Sequence, residues 1–323
     1  MPEIRDSVEL TGRRSCAYMG SMRPPPLLAA GSRVALVAPA GPLHGDVDVK
    51  RAVDSTRALG WDPVVGAHVR ERKHYLAGSD EHRLADLNAA ANDDSIDAIW
   101  CIRGGYGSMR LLDALDYDAW RRRPRALIGY SDITALHSAI GARADLITFH
   151  GPTARAHLTP FSIAGLEQAV CAGGSYVLAA QDGETLHAGR ARGRLIGGNL
   201  ALVSSLIGTP YAPQLEGAIL FLEDVNESVY RVDRMLTQLR LSGGLGRVAG
   251  LAFGQFTEIP SATDAQEESR PLSELLHEVA ARCGVPCIAN IPVGHVGDQW
   301  TLPVGAIAEL DADARQLIID QNS

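Results

Sequence analysis

The chain has 323 residues, 46% of them apolar and 5% aromatic, and a net charge of -8. Only two of its 30 basic residues are lysines, Lys50 and Lys73, and the rest are arginines. Both lysines sit in polar helix-start or charged surroundings, which excludes pyridoxal chemistry and a Walker-type phosphate lysine. The acidic balance, with no basic stripe, argues against a nucleic-acid partner. No apolar run approaches the roughly 18 residues of a membrane span. The first 23 residues are polar and lack a signal-peptide core. A cytoplasmic protein with no membrane partner is expected, starting at Met1 or Met22. Five cysteines fit a reducing compartment, with Cys101 inside an apolar run. Cys283 and Cys287 stand close together in CGVPC, but no second pair completes a zinc site, so no metal is expected there.

In chain order, an extension over 1–25 ends at Pro24-Pro25-Pro26. Val34–Ala38 reads as a buried strand and is followed by the turn Pro39-Ala40-Gly41-Pro42. Val47–Leu59 has helical spacing, Pro63–Val65 begins a strand, and His82–Asn92 reads as a helix. Ala98–Ile102 is a buried strand, and Gly104-Gly105-Tyr106-Gly107 turns into a helix through Leu115. Ala126–Gly129 is a strand, Asp132–Ala142 a helix and Leu146–Phe149 a strand. Strands alternating with helices imply a parallel sheet covered on both faces. The pattern weakens after residue 155. It resumes with Ala218–Leu222, a helix at Val229–Leu241, Val248–Phe253 and a helix at Leu272–Arg282. Strands near Ile288 and Thr301–Leu302 and a terminal pair complete this mixed part. The expected fold is an α/β, Rossmann-like (flavodoxin-like) domain over 26–155, a linker at 156–190 and a second domain over 191–323.

Ligands of open α/β sheets bind beyond the carboxyl ends of the strands. Strand 126–129 runs straight into Tyr130-Ser131-Asp132 and a helix. A serine on such a turn presents its hydroxyl, and the following N–H groups can hold an oxyanion. Ile133 replaces the last glycine of G-x-S-x-G, so a plain helix cap stands as the other reading. After strand 98–102, Arg103-Gly104-Gly105-Tyr106-Gly107 offers backbone donors or a simple glycine turn. Glu223-Asp224 end strand 218–222, where an acid could orient a histidine or complement a helix dipole. His150 and His295 both suit a base. His44, His68, His74, His82 and His187 sit in polar stretches and read as surface residues.

Taken together, VALVAPAGP, IRGGYGSMRLL, LIGYSDITAL, HGP, GRLIGGNLALVSSLIGTPY, FLEDVNESVYRVDRML and PVGH resemble the LD-carboxypeptidase family of serine peptidases. The similarity runs from Pro26 to Asp311. The resemblance implies a second domain with a small barrel-like sheet and a triad of Ser131, Glu223 and His295. Glu227 competes for the acid, and His150 becomes a structural or substrate-lining residue. The implied oxyanion hole is the N–H of Asp132 and of Gly105, and the implied substrate-binding set is Arg103, Gly104, Tyr106 and Asn199. The implied reaction frees terminal D-alanine from murein tetrapeptide through an acyl-enzyme, as in peptidoglycan recycling. It needs no metal or organic cofactor, its partner is a small peptide ending in a D-amino acid, and the family suggests a homodimer. Cleavage of peptidyl- or aminoacyl-nucleotide amides is the alternative within the family. A non-catalytic ligand-binding α/β protein is the alternative outside it.

Overall fold

The computed structural model describes residues 22–260 and 270–322. Most of the expected extension, and Cys16 with it, falls outside them. Within the described residues, Arg23 bridges to Leu146 and the Met22 N–H donates to the Gly305 carbonyl.

Strands β1 (Arg33–Val37), β2 (Asp62–Val65), β3 (Ala98–Cys101), β4 (Ala126–Gly129) and β5 (Thr148–His150) run parallel, in the spatial order β5-β4-β3-β1-β2. Between them run α1 (Asp46–Ala58), α2 (Asp80–Asn92), α3 (Tyr117–Arg122) and α4 (Thr134–Ala144). Every residue of β3 and β4 is buried. A sheet covered on both faces has no polar side, so these strands read as unbroken apolar runs. The order reverses between β1 and β3, which opens a crevice beyond their carboxyl ends. The helix expected after Gly107 is a 3-10 turn, Ser108–Ala114, and α3 follows it.

The stretch read as a linker carries regular elements of its own. Residues 156–190 hold the helix α5 (Pro160–Glu167) and the strands β6 (Ser175–Ala179) and β7 (Glu184–His187). Then follow β8 (Arg190–Asn199), α6 (Leu200–Leu206), β9 (Ile219–Val225), α7 (Val229–Leu241), β10 (Gly250–Thr257), α8 (Leu272–Cys283) and β11 (Cys287–Ala289). The chain ends with β12 (Leu302–Val304), β13 (Ile307–Asp311) and β14 (Gln316–Asp320). Eight of these strands form a mixed sheet in the order β6-β14-β13-β8-β9-β10-β11-β7. Its edge strands β6 and β7 are joined by Ala180–Gly183 alone. Such a link reaches at most about 18 Å, while a flat eight-stranded sheet spans about 34 Å. The sheet must therefore curl until its edges approach, which gives the barrel-like form.

The strand expected near Thr301–Leu302 belongs elsewhere. As β12 it returns to the first sheet and pairs antiparallel with β5, Leu302 opposite His150. Pro303 lacks an N–H, so an edge position suits it.

Candidate active site

Glu223 lies in β9, opposite Asn199 of β8 and close against Gly254 of β10. A strand flanked on both sides allows its side chain little freedom, and Glu223 is fully buried. Its Oε2 is 2.9 Å from His295 Nδ1. The histidine sits in a loop bent at Gly294, whose φ is 117°. A Cβ on Gly294 would stand 2.7 Å from Glu223 Oε2, so glycine is what lets the loop close on the carboxylate. The Gln299 side chain donates to the Gly294 carbonyl at 3.2 Å and holds the bend. Glu227 points elsewhere and pairs with Arg231 at 3.6 Å.

Ser131 follows β4 with φ 65°, a left-handed conformation that costs a non-glycine residue energy. The fold enforces it. The buried Asp132 carboxylate accepts from the Ser108 N–H at 2.8 Å and ties the serine turn to the glycine turn after β3. Burial raises the Asp132 carboxyl above its ordinary range, in spite of that donor. A Cβ on Gly104 would come within 2.9 Å of Ser131 Cβ and 3.0 Å of its Oγ. The Gly104 carbonyl accepts from the Gly41 N–H at 3.2 Å, which brings the turns after β1 and β3 together at the switch point. The Gly105 N–H has no hydrogen-bond partner among the described residues.

Tyr130 joins the two halves. Its ring meets His295 edge-on at 4.8 Å, one residue before the serine. Burial, and next the Glu223 charge, push its phenol up to about 12. His150 meets the Tyr130 ring edge-on at 6.0 Å, wholly buried, with its pKa drawn well below the ordinary value by burial. This places His150 in the packing beneath the site.

The remaining expected residues divide. Arg103 crosses the mouth of the crevice and donates to the Pro42 carbonyl at 2.7 Å and the Gly104 carbonyl at 3.1 Å. Tyr106 is exposed at the rim, edge-on to Tyr75 at 5.5 Å. The Asn199 amide accepts from the Leu202 N–H to cap α6 and donates to the buried Asp224 at 2.8 Å.

One cation was missed. Arg155 follows the HGP segment, and its N–H bonds the Ile102 carbonyl, which sets it beside Arg103. Its guanidinium pairs with Asp48 of α1 at 3.3 Å. Burial would raise the Asp48 carboxyl, but the His44 N–H and the Arg155 charge hold it below the usual range. Burial and the neighbouring Arg155 lower the Arg103 pKa. A sequence signal existed in the lone arginine of GPTAR, but only the fold brings it back to β3.

With this geometry in place, comparison with known proteins identifies the lineage. Residues 34–151 match the LD-carboxypeptidase N-terminal domain and residues 192–310 the LD-carboxypeptidase C-terminal domain. The chain belongs to the LD-carboxypeptidase family. It is 38% identical to the murein tetrapeptide carboxypeptidase of Pseudomonas aeruginosa, over 87% of this chain and 94% of that one. A solved muramoyltetrapeptide carboxypeptidase from Oxalobacter formigenes has a TM-score of 0.79 at 30% identity, covering 90% of this chain and 99% of its own. The microcin C7 self-immunity protein of Escherichia coli is 27% identical over 84% of this chain and 87% of its own. Membership in the family makes this chain a peptidase, and among the described residues no helix is long and apolar enough to cross a membrane.

Proposed function

We propose that the protein is a serine LD-carboxypeptidase that frees the terminal D-alanine of murein tetrapeptide, as peptidoglycan recycling requires. The observation that carries this reading is the 2.9 Å Glu223–His295 pair, whose ring meets Tyr130 next to the strained Ser131. In this reading the nucleophile belongs to the domain 26–155 and its partners to the domain 191–323.

A serine hydroxyl is a weak nucleophile near neutral pH and needs a base. His295 Nε2 takes the Ser131 proton as Oγ attacks the scissile carbonyl. Glu223 accepts from Nδ1–H, fixes the tautomer and stabilises the imidazolium. The oxyanion takes hydrogen bonds from the N–H groups of Asp132 and Gly105. His295 then protonates the departing D-alanine amine and next activates the water that hydrolyses the acyl-enzyme. The reaction calls on no metal or organic cofactor. The substrate's terminal carboxylate is met by Arg103 and Arg155; Asp48 is ion-paired with Arg155, and Arg103 is held by backbone carbonyls. That leaves one positive charge in surplus, and arginine's fork matches a carboxylate.

The second reading, cleavage of nucleotide-linked amides, is supported by the microcin relative, solved in complex with aspartyl sulfamoyl adenosine. A nucleobase asks for an aromatic face. Between residues 155 and 200 only Phe161 and Tyr176 are aromatic, and the Tyr176 hydroxyl is engaged by Gln321 at 3.3 Å. That favours murein peptide.

The test is to incubate the protein with murein tetrapeptide and with an aminoacyl sulfamoyl adenylate, following D-alanine release and amide cleavage separately. D-alanine release that vanishes in Ser131→Ala is the expected result. Binding without turnover would make it a ligand-binding protein, and adenylate cleavage alone would transfer it to the second reading. A homodimer in the cytoplasm belongs to the same proposal and is checked by sedimentation and cell fractionation.

A further inference from the structure

Away from the serine, the loop between β2 and α2 brings His68 and Glu71 beside His82 of the first turn of α2. One ligand-capable atom from each lies within 4.8 Å of the others. The geometry points to a binding site for a zinc-class divalent ion, held by His68, Glu71 and His82 with solvent in the fourth position. Two imidazoles and one carboxylate suit zinc, cobalt or nickel, whereas magnesium and calcium prefer oxygen alone.

The supporting shell is already built. The His68 Nδ1 is 2.8 Å from Asp86 Oδ1, and the His68 backbone N–H donates to the same carboxylate at 3.0 Å. Asp86 is buried. A carboxylate on Nδ1 leaves Nε2 with its lone pair, the usual arrangement behind a metal-bound histidine. His82 and Asp86 lie one turn apart on the same face of α2. The His82 ring stacks on His68 at 4.3 Å, and its Nδ1 is 2.8 Å from Glu71 Oε2.

Two glycines make room for the acids. A Cβ on Gly78 would stand 2.8 Å from Glu71 Oε2, and one on Gly66 would stand 2.6 Å from Asp86 Oδ2. Ser79 caps α2 through the His82 N–H, so His82 projects from a fixed first turn. Ligand atoms in a tetrahedral zinc shell stand about 3.3 Å apart, given bonds of about 2.0–2.1 Å. The three side chains are partly exposed and have the freedom to close that gap. A bound ion would exchange the His82–Glu71 contact for two metal bonds and tie the loop that carries Tyr75 to α2.

The experiment uses the full-length, tag-free protein, stripped with chelator and titrated with zinc chloride and then with cobalt chloride. We expect one equivalent of zinc, four-coordinate cobalt absorption and a rise in Tm with zinc. His68→Ala and His82→Ala should each abolish these, and Asp86→Asn should weaken zinc binding about 10- to 100-fold, the usual cost of losing such a partner. Circular dichroism checks that each variant is folded, and His74→Ala, in the same loop, should bind as the parent does. Absence of saturable zinc binding to the parent overturns the site. Undiminished binding in a folded His68→Ala/His82→Ala double variant does so as well.

Discussion

Ser131 and His295 are held by different means. Ser131 takes its direction from the backbone: a left-handed turn after a buried parallel strand, clamped by Asp132 and by the bare Cα of Gly104. His295 takes its direction from side chains, with the Glu223 carboxylate on one ring nitrogen, Tyr130 at its edge and a Gln299 hydrogen bond to the loop. A backbone clamp tolerates almost no change in volume, whereas a side-chain clamp tolerates changes in shape and fails when charge is lost.

The largest effect should come from Ser131→Ala, a loss of D-alanine release of about 10⁴- to 10⁶-fold with the fold intact by circular dichroism. Glu223→Gln should follow, reducing kcat by about 10⁴ through the wrong imidazole tautomer. Glu227→Gln should stay within about tenfold of the parent, and the reverse order would reassign the acid. Gly104→Ala tests the volume argument. Its methyl would press on Ser131 Cβ, and displacing a nucleophile by a fraction of an ångström should reduce kcat/KM by about 10²-fold. Arg155→Met should raise KM about 10- to 100-fold with kcat little changed, as expected for a charged hydrogen bond to substrate. A fall in kcat alone would instead make Arg155 a support for Arg103.

The smallest effect concerns stability. His137 of α4 sits beneath the serine turn with its Nε2 2.8 Å from the Gly129 carbonyl, and burial lowers its pKa from 6.5 to about 4. Between those values the unfolded chain binds the proton and the folded one does not. The stability His137 provides is therefore complete above about pH 6.5 and lost as the pH falls toward about 4. His137→Gln should flatten the fall in Tm across this window, and an unchanged slope would remove His137 from the account.

The first sheet was legible because double burial writes it as apolar runs, and the serine turn because it follows one of them directly. The second sheet was harder to read. Its central strand β8, RARGRLIGGN, is glycine-rich and polar and was not read as a strand. Its glycines answer to neighbours: a Cβ on Gly197 would strike the Phe221 carbonyl of β9, and one on Gly198 would strike Thr134 of α4. Such needs are tertiary and leave no periodic trace. The cap that Asn199 makes on α6 was not legible either, since a capping amide and a substrate-binding amide are the same residue type in sequence. His68 and His82 were read singly as surface residues, and only the fold stacks them.

The return of β12 to the first sheet has a consequence for how the chain can be divided. A fragment ending near residue 190 would leave β5 as a bare sheet edge, with its pairing groups open to other strands. Such a piece would self-associate, and the complementary piece would carry an orphan strand. Cutting the chain between its two units should give inclusion bodies from either part alone, and soluble protein only when both are made together.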